Sequence, residues 1–134
     1  MSALWIIIPP HVISDTVELN IKRGNLSVEE ALDNLAAKIR ELQELGIKTI
    51  VLIHGYGSSG KGGHIKRAVH DALENNCYAD RVEEYCFGEM VPYASPVYQS
   101  LIKQRPGLKQ FLRHFKAANA GMTVLLLGSA PRSA

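Results

Sequence analysis

The stretch IVLIHGYGSSGKGGHIKRAV, residues 50–69, runs from a β-branched apolar segment through a glycine-rich turn into an amphipathic helix. Five glycines fall within nine residues, Gly55 to Gly63. A tight turn needs only one or two. Between a buried strand and a helix, such a loop lets backbone N–H groups converge on an anion, helped by the positive end of the helix dipole. Lys61, Lys66 and Arg67 stand in or just after the loop, where they can pair with oxygens that the backbone orients. Gly55, Tyr56, Gly57 and Gly60 join these three cations as candidate phosphate contacts, with Tyr56 able either to stack on a base or simply to pack.

Upstream, Thr49 to Ile53 reads as a strand buried on both faces. Before it, Ser27 stands three residues ahead of Glu30, a capping box, and Val28, Ala31, Leu32, Leu35, Ile39, Leu42 and Leu45 recur at helical spacing until Gly46. The outer face of that helix carries Glu29, Glu30, Asp33, Glu41 and Glu44, which repel a phosphate backbone. Earlier still, Val17, Leu19 and Ile21 alternate with Glu18, Asn20 and Lys22, the period of a half-buried strand. It runs parallel to the next strand across the helical crossover. Leu4 to Ile8, closed by two prolines, reads as an edge strand.

Downstream, Ile65, Ala68, Val69, Ala72 and Leu73 stripe a second helix whose start is delayed by Lys61, Gly62 and Gly63. Arg81–Phe87 and Met122–Leu127 are further strands. Between them the spacing predicts one helix from Pro96 to Gln104 and another from Gly107 to Ala118. In the latter, Leu108, Phe111, Leu112 and Phe115 form an apolar stripe behind Lys109, Arg113 and Lys116. The sum is a single α/β domain, residues 1–134: a small two-layer mixed sheet on a β-α-β-α-β core, with residues 1–16 as an N-terminal extension and 90–121 as a helical insertion. With the third and fourth strands as neighbours, that insertion is an excursion over the sheet edge.

A chain of 134 residues is long enough for one core and too short for a dinucleotide-binding enzyme of two halves. Its 46% apolar and 21% charged residues argue against disorder, collagen-like structure and membrane insertion. The apolar runs LWIII and TVLLL are too short to span a bilayer, and no secretion signal is visible, so a cytoplasmic location is expected. Cys77 and Cys86 lack metal or redox spacing and read as reduced and structural. Charge is unevenly placed: residues 1–89 carry 13 acidic against 9 basic side chains, while residues 90–134 carry 6 basic and no acidic ones. Such asymmetry suggests an anionic partner, with a solvated basic helix as the plainer explanation.

The loop also touches three other patterns. Gly55 to Lys61 satisfies the nucleoside-triphosphate loop, but Gly62 stands where a hydroxyl should hold magnesium. Gly55, Gly57 and Gly60 match the dinucleotide fingerprint, with Glu83 or Glu84 near the distance for a ribose contact. His54-Gly55 after a strand fits an α/β-hydrolase oxyanion turn, yet no nucleophile elbow exists and Gly57-Ser58-Ser59-Gly60 is one residue short of one.

A fourth pattern covers more of the chain. SVEEALDNLAAKIRELQELGI, KTIVLIHGYGSSGKGG and HIKRAVHDALEN, followed by GMTVLLL as the closing strand, resemble the Smr (small MutS-related) domain family over roughly 80 residues. The resemblance implies a fold like the C-terminal domain of a bacterial translation initiation factor, DNA or RNA as partner and, as in several members, nicking endonuclease activity. Two motifs are linked to that activity. H-G-x-G maps onto His54, Gly55, Tyr56 and Gly57; L-D-x-H maps onto Leu19, Asn20, Ile21 and Lys22, which does not match.

Phosphodiester cleavage needs a group to activate the nucleophile, one to protonate the leaving oxygen, and positive charge near the developing oxyanion. Asn20 does not titrate, and Lys22 is cationic at neutral pH unless strongly desolvated. What remains of a catalytic centre is His54 with Lys22. His54 also reads as an orienting residue or phosphate contact, and His64 and His70 as surface side chains, with His70 sharing a face with Lys66. No metal-ligand spacing is present, and neither a metal nor a cofactor is expected. Lys109, Arg113 and Lys116 extend the phosphate surface; the same segment could instead cover a groove or mediate self-association through Tyr93, Tyr98, Phe111 and Phe115. The expected function is a nucleic-acid-binding domain with doubtful endonuclease chemistry. A protein-interaction module on the same fold, or a nucleotide or phosphate-ligand binder, is the alternative; the sequence leaves the oligomeric state open.

Overall fold

The computed structural model describes residues 15–21, 27–55, 62–117 and 119–128. Four strands, β1 (Thr16–Asn20), β2 (Thr49–Ile53), β3 (Val82–Phe87) and β4 (Met122–Leu127), form one sheet in the order β1-β2-β4-β3. β1 and β2 are parallel, and β4 is antiparallel to both of its neighbours. The helices are α1 (Val28–Glu44), α2 (Gly62–Glu74), α3 (Pro96–Gln104) and α4 (Leu112–Lys116). The edge strand read at Leu4–Ile8 lies outside the described residues.

The capping box sets the start of α1: Ser27 Oγ accepts from the Glu30 amide at 3.1 Å, and Glu30 Oε1 accepts from the Ser27 amide at 2.9 Å. Those bonds from Ser27 hold the Glu30 carboxyl below its usual range. At the other end the Gly46 amide closes on Gln43 O. Gly62 and Gly63 already belong to α2, so the glycines delay this helix less than their low propensity suggests.

All five residues of β2 and all six of β4 are buried, which is why both read as unbroken apolar runs. Alternation along them builds two cores. Ile50, Leu52, Leu125 and Leu127 pack with Leu35 and Ile39 of α1 and Ile65 and Val69 of α2. Val51, Ile53, Val124 and Leu126 face the other way, onto Tyr98, Leu101, Leu108 and Phe115. The expected core of sheet plus α1 and α2 is present, and the insertion adds a third layer on the opposite face.

That placement corrects the excursion over the sheet edge. β3 and β4 are indeed neighbours, but an uncovered apolar face on the central strands costs about 25 cal/mol per Å², and α3–α4 cover it. Phe115 and Tyr98 are buried there, so neither is available for self-association. The helix read over Gly107–Ala118 is instead a 3₁₀ turn, Pro106–Phe111, followed by the short α4. Gly107 lies against β1, where a Cβ would collide with the Thr16 side chain, so this turn is shaped by close contact as well as by Pro106.

Candidate functional site

His54 continues the alternation of Ile50 and Leu52 and therefore points to the α1–α2 side of the sheet, where it is fully buried. Its Nδ1 lies 2.7 Å from Gly55 O and its Nε2 2.8 Å from Thr123 Oγ1. A carbonyl oxygen can only accept, so the neutral ring carries its proton on Nδ1 and Nε2 accepts the Thr123 hydroxyl. This leaves Thr123 Oγ1 as acceptor for His70 Nε2, 3.5 Å away on α2. The two imidazoles meet edge to face at 5.6 Å, and His70 stacks on Phe87 at 3.7 Å. One turn earlier on α2, Lys66 Nζ pairs with Glu89 Oε2 at 3.3 Å.

Burial pushes the His54 pKa down to about 4, with the Lys66 charge and, once it is protonated, His70 adding to the effect against the opposing Gly55 carbonyl and Glu89. His70 is also lowered, first by burial and then by Lys66. Burial raises the Glu89 carboxyl, but its own backbone hydrogen bond and Lys66 outweigh that and leave it below the usual range. Both imidazoles are thus neutral at pH 7. His54, with both nitrogens committed, ties the end of β2 to β4.

The backbone repeats the tie. The amides of His54 and Gly55 both donate to Gly121 O, at 2.9 and 3.0 Å, and Gly55 adopts a φ of +78°, which suits glycine. Gly121 is held in turn: its amide donates to Asn119 Oδ1 at 2.8 Å, and Asn119 Nδ2 donates to His114 Nδ1 at 3.1 Å. His114 Nε2 then meets Glu18 Oε1 of β1 at 3.0 Å.

The Smr domain model matches residues 24–91, half of the chain, from ahead of α1 to just past β3. This chain belongs to the Smr domain family. The Smr domain of Thermus thermophilus MutS2 is a similar solved structure, with 24% sequence identity and a TM-score of 0.47, covering 87% of this chain and 99% of that one. No curated protein matches the sequence. Smr domains as a family are associated with nucleic-acid binding and nicking. The match includes the H-G-x-G positions His54 to Gly57, while Leu19–Lys22 precede it.

In this Smr domain Asn20 and His54, the described chemical positions of the two motifs, lie on different faces of the sheet. Asn20 pairs in register with Ile53, whose side chain belongs to the second core, while Leu19 and Ile21 pack into the first. Alternation therefore puts Asn20 on the α3–α4 side of the sheet, opposite His54. Lys22, Tyr56, Gly57, Gly60 and Lys61 lie outside the described residues.

Two expected phosphate contacts already have partners within the chain. The Gly55 amide turns inward to Gly121 O, because the loop begins by pairing with the turn before β4. Lys66 is engaged by Glu89. Arg67, next on α2, is exposed. Lys109, Arg113 and Lys116 are exposed too, but on the layer across the sheet from α2, with Lys116 Nζ 5.3 Å from the centre of the Tyr93 ring.

Thr123, Phe87 and Glu89 complete the histidine cluster without having stood out as sequence candidates. Thr123 had a signal: a lone hydroxyl in MTVLLL, buried on both sides, requires a partner. His70, read as a surface residue, is half-buried and stacked. Among the described residues no group of His, Cys, Asp and Glu has the arrangement of a metal site, and no helix is long and apolar enough to cross a membrane.

Proposed function

We propose that this Smr domain binds DNA or RNA through the phosphate backbone on its α3–α4 layer and has lost the nicking chemistry. The observation that carries the reading is the charge polarity across the sheet. The exposed face of α1 presents Glu29, Glu30, Asp33, Glu41 and Glu44 against Lys38 and Arg40, whereas the opposite layer exposes Lys103, Lys109, Arg113 and Lys116, and residues 90–121 contain no acidic side chain. A polyanion approaching this molecule is repelled on one side and attracted on the other. Arg67 and, from their place in the sequence, Tyr56, Gly57, Gly60 and Lys61 serve in this reading as secondary phosphate contacts.

Loss of cleavage follows from the chemistry of the motif positions. His54 is neutral, buried and bonded through both nitrogens, so it holds the loop rather than exchanging a proton with substrate. Asn20 supplies no base and faces the other way. Lys22 remains a phosphate contact rather than half of a catalytic pair.

The test is a titration of labelled DNA and RNA at several salt concentrations, with nicking of supercoiled plasmid followed in parallel. Replacing Lys109, Arg113 and Lys116 by Ala should weaken binding and lower the salt slope by about 2 to 3 units. Unchanged affinity rejects the surface. Plasmid nicking that disappears in His54→Ala rejects the loss of chemistry.

A further inference from the structure

We propose that the outer edge of β3 and the adjoining side of α3 form a docking groove for an extended peptide of alternating cationic and apolar residues, which joins the sheet as an additional strand. β3 lies at the end of the strand order and pairs only with β4, so among the described residues its other edge has no strand partner. Beside that edge runs a groove of about 620 Å³ whose lining includes Glu83, Glu84, Cys86, Val97, Leu101 and Gln104. Backbone groups on one wall and a helix on the other are what a strand-adding peptide uses: ladder hydrogen bonds supply affinity and alternate side chains supply selectivity.

The chemistry of the lining selects the occupant. It contains two carboxylates and no cation. Glu83, 62% exposed, meets Arg105 only at 3.6 Å, and Glu84 makes no ion pair among the described residues. Val97 is 47% exposed on the α3 wall, with Leu101 buried behind it. The carboxylates and the bulge between Val82 and Glu84 discourage pairing with an arbitrary strand. Lysine or arginine side chains on the α3 side of the added strand remove that repulsion, with their aliphatic stems over Val97, and the apolar residues between them fall on the other side of the sheet, beside Tyr85. A second copy of β3 brings four carboxylates to one edge with no cation to offset them, and nucleic acid is repelled by the same groups.

The inference uses the side of α3 that faces β3 and none of Lys109, Arg113 or Lys116, so it does not depend on the nucleic-acid reading. The full chain is titrated with an acetylated, amidated peptide of alternating lysine and valine while amide chemical shifts are followed. Shifts concentrated at residues 82–87 and 96–104 are expected. Binding should weaken about tenfold or more in Glu83→Lys/Glu84→Lys and vanish for a peptide N-methylated at alternate amides. No binding, equal binding of a glutamate–valine peptide, retained binding of the N-methylated one, or shifts centred elsewhere would each overturn the proposal. Both substitutions are at exposed positions, and the peptide controls use the unaltered chain, so a misfolded variant would leave the test intact.

Discussion

The two layers that flank the sheet do the same work inside and opposite work outside. Leu35 and Ile39 of α1 and Leu108 and Phe115 of the second layer are all buried against the central strands. Their outer faces differ: α1 exposes five carboxylates against Lys38 and Arg40, whereas the 3₁₀ turn and α4 expose Lys109, Arg113 and Lys116 and no carboxylate. Apolar burial dictates that each face be covered, not which charge the cover presents. The histidines differ in the same way. His54 is sealed in the first core, while His114 on α4 pairs with Glu18 at the rim of the second. A short chain of bonds through Asn119 and Gly121 joins the two sides.

The sharpest way to break this comparison is to remove one anchor from each layer. Phe115→Ala should cost about 3–5 kcal/mol and Leu35→Ala about 2–5 kcal/mol, read from urea unfolding. A loss below about 1 kcal/mol for Phe115→Ala, against a full loss for Leu35→Ala, would mean that the second layer is an appendage rather than part of the core.

Acid should act on the first layer through His54. Its folded pKa, about 4, lies below the ordinary value of 6.5, so between these values the unfolded chain binds more protons than the folded one. Stability is therefore full above pH 6.5 and falls as the pH drops toward 4, by about 3 kcal/mol for this group. His70 contributes in the same direction. A stability profile in His54→Asn as steep as in the unaltered chain would remove His54 as the cause.

Smaller still is the effect expected of Thr123→Val, about 1–3 kcal/mol. It leaves His54 Nε2 without its 2.8 Å donor, whereas Thr123→Ser keeps the hydroxyl and should restore most of the loss. Equal stability of the two variants would show that the hydroxyl does not hold the ring.

Much of the fold was legible in the sequence, and the limits have physical reasons. The capping box at Ser27, the helix Pro96–Gln104 and the strand Met122–Leu127 depend on nearest neighbours along the chain, and each appears at its expected place. The position of residues 90–121 was not legible, because an apolar stripe announces that a helix is buried without naming the surface that buries it. The candidate site was legible only at its centre. His54 stood out within H-G-x-G, but its partner Thr123 is 69 residues away, and Glu89, which engages Lys66, is 23 residues away. Alternation along β1 already separated Leu19 from Asn20; only the register against β2 shows that Asn20 and His54 face opposite layers.

The polarity of the two layers is tested most directly by the salt dependence of nucleic-acid affinity in two variants, Lys109→Ala/Arg113→Ala/Lys116→Ala and Lys66→Ala. The first should weaken binding and flatten the slope by about 2 to 3 units, while the second, which removes a lysine already paired with Glu89, should leave the slope nearly unchanged. A slope that falls in Lys66→Ala and holds in the triple variant would contradict the account.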